Sequence, residues 1–403
     1  MKILFVHQNF PGQFAGLVDH LIASGDHEVA AIGARQFQDP RILYRNYAAP
    51  PAGSAQNPLQ DEAAVRISRA EAVAAQARIL RLNGFAPDVI LAHTGWSESL
   101  FLRDIFPEAK LVCYCEYHYM RRGGDVGFDP EFPVESLDTL HRLRIRNAFE
   151  LSAIDDADAC ISPTPWQRST YPSSVRPRIE VIHEGIDADT LAAVGGGNGH
   201  DYAWPAGIGT DTPVVTYVAR YLEPQRGFHT FMRALPSLQA AVPDVHTVIV
   251  GADQGGYGPP PAERETWKET MLTELGERVD LTRVHFAGRV SYRDYATILK
   301  RSDVHAYLTY PFVLSWSALE AMAMGKAIVA SDTPPVRDFM TDGENARLVD
   351  FFDSRALADT VATLLNTRDE RNRLGAAARQ FILSNDLTRQ AACKKVLDFI
   401  RSL

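Results

Sequence analysis

A chain of 403 residues exceeds what one ordinary hydrophobic core fills, so two sizeable domains are expected, and 46% hydrophobic with 23% charged residues excludes collagen-like repetition and wholesale disorder. A formal net charge of −9 excludes a general nucleic-acid binder, which needs an excess of Lys and Arg against phosphates. Four cysteines, Cys113, Cys115, Cys160 and Cys393, are too few and too irregularly placed for a disulfide framework or a zinc site.

The opening run MKILFVHQNF turns polar too soon for a signal peptide or a spanning helix, and no later stretch approaches bilayer length. A cytoplasmic enzyme is expected, with peripheral contact at the inner membrane surface left open. The basic run Arg142, Arg144 and Arg146 reads either as a solvated helix face or as a membrane-facing edge.

In chain order, Lys2 to His7 reads as a buried strand, Gln13 to Ser24 as a helix ended by Gly25, and His27 to Ile32 as a second strand. Strand, turn, helix and strand make a βαβ unit with parallel strands. After a Pro- and Ala-rich surface segment at 48–60, the alternation continues with a helix at 61–83, strand Val89 to Ala92, a helix at 97–105 and strand Lys110 to Tyr114. A helix at 136–155 and strands Ala159 to Ser162 and Ile179 to His183 follow. Residues 1–190 thus form one Rossmann-like domain.

Gly195-Gly196-Gly197-Asn198-Gly199 and Trp204-Pro205-Ala206-Gly207 mark a linker at 191–212. A second alternation occupies 213–385. Its strands are Val214 to Val218, His246 to Val250, Val284 to Ala287, Val304 to Leu308 and Ala327 to Ala330. Helices are expected at 227–241, 263–275, 291–300, 315–323, 354–366 and 368–382, and a last helix within 386–403 is placed to return to the first domain. The fold class is therefore α/β, with two Rossmann-like domains facing a cleft where ligands sit outside the carboxyl ends of the strands.

The stretch from Ser302 to Ser331 carries the most chemistry. A strand ends in the loop Tyr310 to Ser315, and a helix begins at Ser315. The backbone N–H groups of Leu314, Ser315 and Trp316 at that start suit a diphosphate. Glu320 lies inside the helix. Alone it reads as a surface glutamate, but the apolar Ala321-Met322-Ala323-Met324-Gly325 run after it and the two hydroxyls that a carboxylate accepts suit a ribose.

Leu319-Glu320-Ala321-Met322-Ala323-Met324-Gly325 resembles the retaining glycosyltransferases of family 4, which have the GT-B architecture. Other matches spread over residues 1 to 385. The family usually carries a first glutamate eight positions before the second, where this chain has Phe312. Phe312 reads as a packed loop aromatic, and the departure leaves open altered donor contacts, which we favour, or lost activity.

Ala219-Arg220-Tyr221-Leu222-Glu223-Pro224-Gln225-Arg226-Gly227 resembles the family's Gly-Arg-Leu segment, which implies that Arg220 and Arg226 offset the diphosphate charge; each alone reads equally as a surface ion pair. His285-Phe286-Ala287-Gly288-Arg289-Val290 resembles the segment framing the nucleobase, and Gly288, Arg289 and Val290 join Phe312, Val313, Leu314, Ser315 and Glu320 as donor-side candidates. Gly12 in Phe10-Pro11-Gly12-Gln13-Phe14 matches a glycine loop under the transferred sugar, and His118 resembles the family's histidine near that sugar. A lone histidine also reads as a satisfied structural residue. His93 and Glu116 fall on the acceptor side by their strand-end positions, with Arg121 and Arg122 either beside them or on a solvated loop. His183-Glu184-Gly185-Ile186-Asp187 reads as a structural turn.

The resemblance implies transfer of a sugar, with retention, from a nucleotide-diphosphate sugar to a hydroxyl of a glycan, a glycolipid or a natural product. No metal or other cofactor is required in this reading. Two alternatives stay open, a sugar-nucleotide epimerase and a non-catalytic nucleotide-sugar-binding partner. The missing G-x-G-x-x-G disfavours a nicotinamide enzyme. The donor sugar, the acceptor and the oligomeric state are not encoded in these patterns.

Overall fold

A computed structural model describes residues 1–49, 57–134, 136–194, 202–258, 260–261, 264 and 266–403. The glycine run 195–199, most of the surface segment 48–60, and residues 263 and 265 at the expected start of a helix lie outside the described residues. Met1–Gly185 together with Arg389–Leu403 form one unit, and Ile186–Thr388 form the other.

The first unit holds β1 (Lys2–Val6), β2 (Glu28–Gly33), β3 (Ile42–Asn46), β4 (Val89–His93), β5 (Lys110–Tyr114), β6 (Ala159–Ser162) and β7 (Ile179–Val181). They pair in parallel in the order β3-β2-β1-β4-β5-β6-β7. Near-continuous apolar strands such as Ile3-Leu4-Phe5-Val6 and Val89-Ile90-Leu91-Ala92 are what a sheet covered on both faces requires. Leu4, Val6 and Ile90 meet Val73, Ala77 and Leu80 of the helix Pro58–Leu82 on one face. Phe5 and Leu91 meet Leu17 and Leu21 of the helix Ala15–Ser24 on the other, together with Cys393 and Leu397 of the helix Arg389–Arg401. The order reverses between β1 and β4, the switch point where open α/β sheets bind ligands.

The second unit holds β8 (Val214–Tyr221), β9 (His246–Ala252), β10 (Val284–Gly288), β11 (Val304–Tyr307), β12 (Ala327–Ser331) and β13 (Arg347–Val349), parallel in the order β10-β9-β8-β11-β12-β13. Its switch point lies between β8 and β11. The register of β8 against β9 shifts between Val218 and Tyr221, and that of β10 between Phe286 and Gly288. Such irregularities re-aim side chains at the carboxyl edge of a sheet. The helix Trp316–Ala323 is buried along most of its length, and a Cβ on Gly375 would stand 2.1 Å from the Gly325 carbonyl oxygen, so the helix Arg368–Ser384 packs directly on the turn that ends it. That crossing fixes the helix bearing Glu320.

Three expectations need correction. The second unit begins at Ile186, where a first domain to 190, a linker at 191–212 and a second domain from 213 were expected, because Ile186 and Leu191 are buried with Leu319 and Met322 in that unit's core. It leaves after Thr388, not 385. The helix expected at 97–105 shrinks to Leu102–Ile105, since Ser97 adopts a left-handed φ of 69° and the preceding residues form turns. Among the described residues no helix is long and apolar enough to cross a membrane.

Candidate functional site

In the first unit, the switch point gathers a network from three strand ends. His7 follows β1 and His93 ends β4. The His7 Nδ1 accepts the Asn9 N–H at 2.9 Å, and the His93 Nδ1 accepts the Gly95 N–H at 3.0 Å. Each Nδ1 is thus an acceptor, and the ring proton sits on Nε2. The His7 Nε2–H donates to Gln13 Oε1 at 2.6 Å, the Gln13 amide donates to Glu116 Oε1, and the His93 Nε2–H donates to Glu116 Oε2 at 3.3 Å.

Burial alone would raise the Glu116 carboxyl, but the hydrogen bond and charge of His93, aided by His7 and Gln13, outweigh it and hold Glu116 below the usual carboxylate range. His7 is driven the other way, down to about 3, by burial and then by the neighbouring His93. The result is an ionised carboxylate held directly by His93 and, through Gln13, by His7. Gly12, with a φ of +50°, lies against the His7 ring so closely that a Cβ would stand 2.3 Å from it. Trp96 stacks on His93 with centroids 4.4 Å apart.

His118 belongs to a second buried network. Its Nδ1 meets Glu150 Oε2 at 3.1 Å, while Glu150 Oε1 accepts the Thr94 and Tyr171 hydroxyls at 3.0 and 2.7 Å. The structure thus groups His93 and Glu116 with His7 and Gln13, and places His118 in a different cluster. Of the expected basic run, Arg146 is spent on Glu62, at 3.0 and 3.2 Å.

Glu98 buttresses the same switch point, accepting the Gln8 N–H at 2.8 Å and facing the Tyr47 hydroxyl. Burial pushes its carboxyl up from 4.5 to about 7. The folded protein then holds a proton that the unfolded chain releases between those values, so this contribution to stability is complete below pH 4.5 and is lost as pH rises through 7. Glu98→Gln should be more stable than the parent at pH 8, by about 3 kcal/mol, and equal to it near pH 4.5, as read from urea midpoints at the two pH values.

In the second unit, the shifted ends of β8 and β10 bring Arg220 and Arg289 onto the Tyr221 ring, with guanidinium carbons 5.4 and 5.6 Å from its centroid. Both arginines are exposed. Beside them opens a cavity of about 590 Å³ whose lining includes Ala252, Asp253, Lys268, Gly288 and Arg289. Gly288 has a φ of +65° and open space where a Cβ would stand, so the backbone itself forms part of the wall. Val290 is half-buried in the core behind it.

Arg226 is more enclosed than Arg220. It is 8% exposed, and its Nη1 donates to Thr309 Oγ1 at 2.9 Å and to the Val313 carbonyl at 2.8 Å. Its guanidinium also lies 5.6 Å from the Phe312 ring and 5.9 Å from Tyr257. Arg226 therefore organises the loop after β11, because the carbonyl and hydroxyl there have captured the cation. Phe312 is buried in the same aromatic cluster, 5.3 Å from Tyr257, and Leu314 is buried beside it in sequence.

The amides at the start of the following helix are also not all open. The Ser315 N–H donates to the Tyr307 hydroxyl at 2.8 Å, and the Ser315 hydroxyl caps the helix by accepting the Ser317 N–H at 3.4 Å. Glu320 already meets two hydroxyls, those of Tyr292 at 2.9 Å and Tyr295 at 2.5 Å. Tyr295 is buried, whereas Tyr292 is half exposed. Sequence reasoning missed His7, Gln13, Tyr292 and Tyr295. A strand-end position was the available signal for His7, and the glycine loop that holds Gln13 was the signal for that residue; none marked the two tyrosines.

Two Rossmann-like units in tandem define the GT-B class of fold, and solved structures share it over the whole chain. An Anabaena protein, HepE, in complex with UDP and glucose has a TM-score of 0.68 at 18% identity, covering 100% of both chains. The sucrose-phosphate synthase of Thermosynechococcus elongatus has a TM-score of 0.71 at 18% identity, covering 100% of this chain and 98% of that one. Residues 25–191 match the glycosyl transferase family 4 group, and residues 201–381 match the glycosyl transferases group 1. The chain belongs to this family of GT-B glycosyltransferases.

Among curated relatives, the phosphatidyl-myo-inositol mannosyltransferase of Mycobacterium leprae is 30% identical over 210 residues, 51% of this chain and 49% of that protein. The D-inositol 3-phosphate glycosyltransferase of Corynebacterium glutamicum is 28% identical over 208 residues, 50% of this chain and 46% of that protein. The chain spans about half the length of the curated relatives it matches.

Proposed function

We propose that this protein transfers a sugar from a nucleotide-diphosphate sugar to a hydroxyl acceptor, with the donor on the second unit and the acceptor on the first. One observation carries the reading: two exposed guanidiniums, Arg220 and Arg289, flank Tyr221 at the switch-point edge of the second sheet, next to a cavity of about 590 Å³. The nucleobase enters that cavity against Gly288, and the diphosphate lies by the two arginines. Glu320 holds the ribose, whose hydroxyl takes the place of the exposed Tyr292 hydroxyl.

The bond between the anomeric carbon and the diphosphate oxygen breaks with its electron pair leaving on the nucleoside diphosphate, and the arginines stabilise that developing charge without a metal. The acceptor oxygen bonds to the anomeric carbon with retained configuration, and its proton passes to the departing diphosphate oxygen. Glu116, fixed by His93 and Gln13, meets the hydroxyls of the acceptor, and His118, held by Glu150 in its own cluster, supplies a further substrate contact or acid–base help. The acceptor is a glycan, a glycolipid or a natural product, and the enzyme works in the cytoplasm.

UDP is the first donor nucleotide to try, since the HepE structure with the same fold holds it. Calorimetric titration of UDP, GDP, ADP and dTDP into the protein should show one diphosphate binding tightly. Binding of none would remove the donor site. The packing of Phe312 against Tyr257 and Arg226 favours a second reading, a nucleotide-sugar-binding partner without turnover. Nucleotide binding combined with zero release of nucleoside diphosphate in the presence of acceptor mixtures would select it.

A further inference from the structure

Between the carboxyl end of β5 and the helix Leu137–Asp155, the first unit holds a pocket of about 450 Å³ apart from the His7 and Glu116 network. Arg121 and Arg122 line it together with Val126, Phe128, Val134 and Leu140. Both arginines are exposed, and among the described residues neither has a hydrogen-bond or ion-pair partner. Of the carboxylates nearby in sequence, Asp125 accepts the Tyr117 hydroxyl at 3.0 Å and Asp129 accepts the Glu131 N–H at 2.9 Å.

The rim is apolar as well as basic. Leu137 and Arg144 fall three residues before and four after the pocket residue Leu140, hence on the same helix stripe. Leu137 is 65% exposed and Val134 is 37% exposed. In a protein of net charge −9, the two arginines make a positive patch beside exposed aliphatic side chains.

We propose that this pocket binds the phosphate of a lipid-linked acceptor, with Arg121 and Arg122 on the phosphate and Val134 and Leu137 against the first methylenes of the lipid. Free phosphate would use the arginines and leave the aliphatic rim without purpose. The planar guanidinium matches phosphate oxygens in pairs, and its attraction to an anionic lipid surface adds for each residue that reaches it. The inference rests on the reading that the first unit receives the acceptor. It narrows that acceptor to a phosphate-bearing amphiphile.

The test is co-sedimentation of the full chain with vesicles of phosphatidylcholine alone and of phosphatidylcholine with one-fifth phosphatidylglycerol. The protein should partition roughly tenfold or more toward the anionic vesicles. Arg121→Gln with Arg122→Gln should abolish that preference, and Val134→Ser with Leu137→Ser should weaken binding severalfold at unchanged charge. Thermal melts should show both double variants folded, and Arg220→Ala should bind vesicles like the parent.

Equal binding to both vesicles, or an arginine variant that binds like the parent, overturns the proposal. So does undiminished binding by the aliphatic variant, which would leave only diffuse charge attraction. Saturable binding of inorganic pyrophosphate without vesicle binding would assign the arginines to a free phosphate and overturn the lipid assignment. Nucleotide titration run in parallel keeps the two readings apart. Vesicle binding without nucleotide binding fails the donor site alone, and the converse fails only this pocket.

Discussion

Glu116→Gln should lower kcat for sugar transfer about a hundredfold or more while nucleotide affinity stays within twofold of the parent. Both Glu116 oxygens accept, one from the Gln13 amide and the other from the His93 Nε2–H. A glutamine offers one oxygen and one NH₂, so one of the two sites becomes a donor facing a donor, and the negative charge that the two histidines frame is gone. The network lies entirely in the first unit, so a nucleotide held by the second should not register the change. Steady-state kinetics at saturating donor, paired with calorimetry, separates the effects. A kcat within a few fold of the parent would remove Glu116 from the reacting centre.

The second large effect belongs to Glu320. Glu320→Ala should cost about thirtyfold or more in nucleotide affinity, the loss expected when a carboxylate stops accepting from a ribose. Alanine also strips the buried Tyr295 hydroxyl of its partner, which destabilises the fold by about 1–3 kcal/mol. Glu320→Gln separates the two, since it keeps the volume and one acceptor while losing charge. It should remain folded and still bind nucleotide weakly. Tyr292→Phe completes the comparison: if the ribose replaces that hydroxyl, affinity should hold or rise. A Glu320→Gln protein that binds like the parent would place the ribose elsewhere.

The buried strands were readable because a parallel sheet covered on both faces needs unbroken apolar runs, and Ile3 to Val6 and Val89 to Ala92 are such runs. Edge strands β3 and β13 escaped notice because only one residue of Ile42–Asn46 is buried and Arg347–Val349 is three residues long. The Glu320 helix was marked by its own residues, but its partners were not. Tyr292 and Tyr295 reach it from a helix 25 to 28 positions earlier. Likewise Gln13 and Glu116 stand 103 positions apart, and only the assembled sheet makes them neighbours.

Arg226 marks a different limit. A cation after a strand suggests a phosphate contact, and nothing in the sequence shows that its Nη1 also holds the Thr309 hydroxyl and the Val313 carbonyl. Arg289, read only as part of a nucleobase segment, stands instead with Arg220 as the more open cation.

The first unit is discontinuous, and that bears on the order in which the protein is made. Cys393, Val396, Leu397 and Ile400 sit in a core otherwise built from residues before 186. A ribosome reaches them only after the whole of the second unit has been synthesised, whose first and last residues, Ile186 and Thr388, pair with each other in the folded protein. The later-made unit can thus complete its core first, while the earlier-made one waits with an apolar face uncovered, the stretch of synthesis when chaperone capture would matter most.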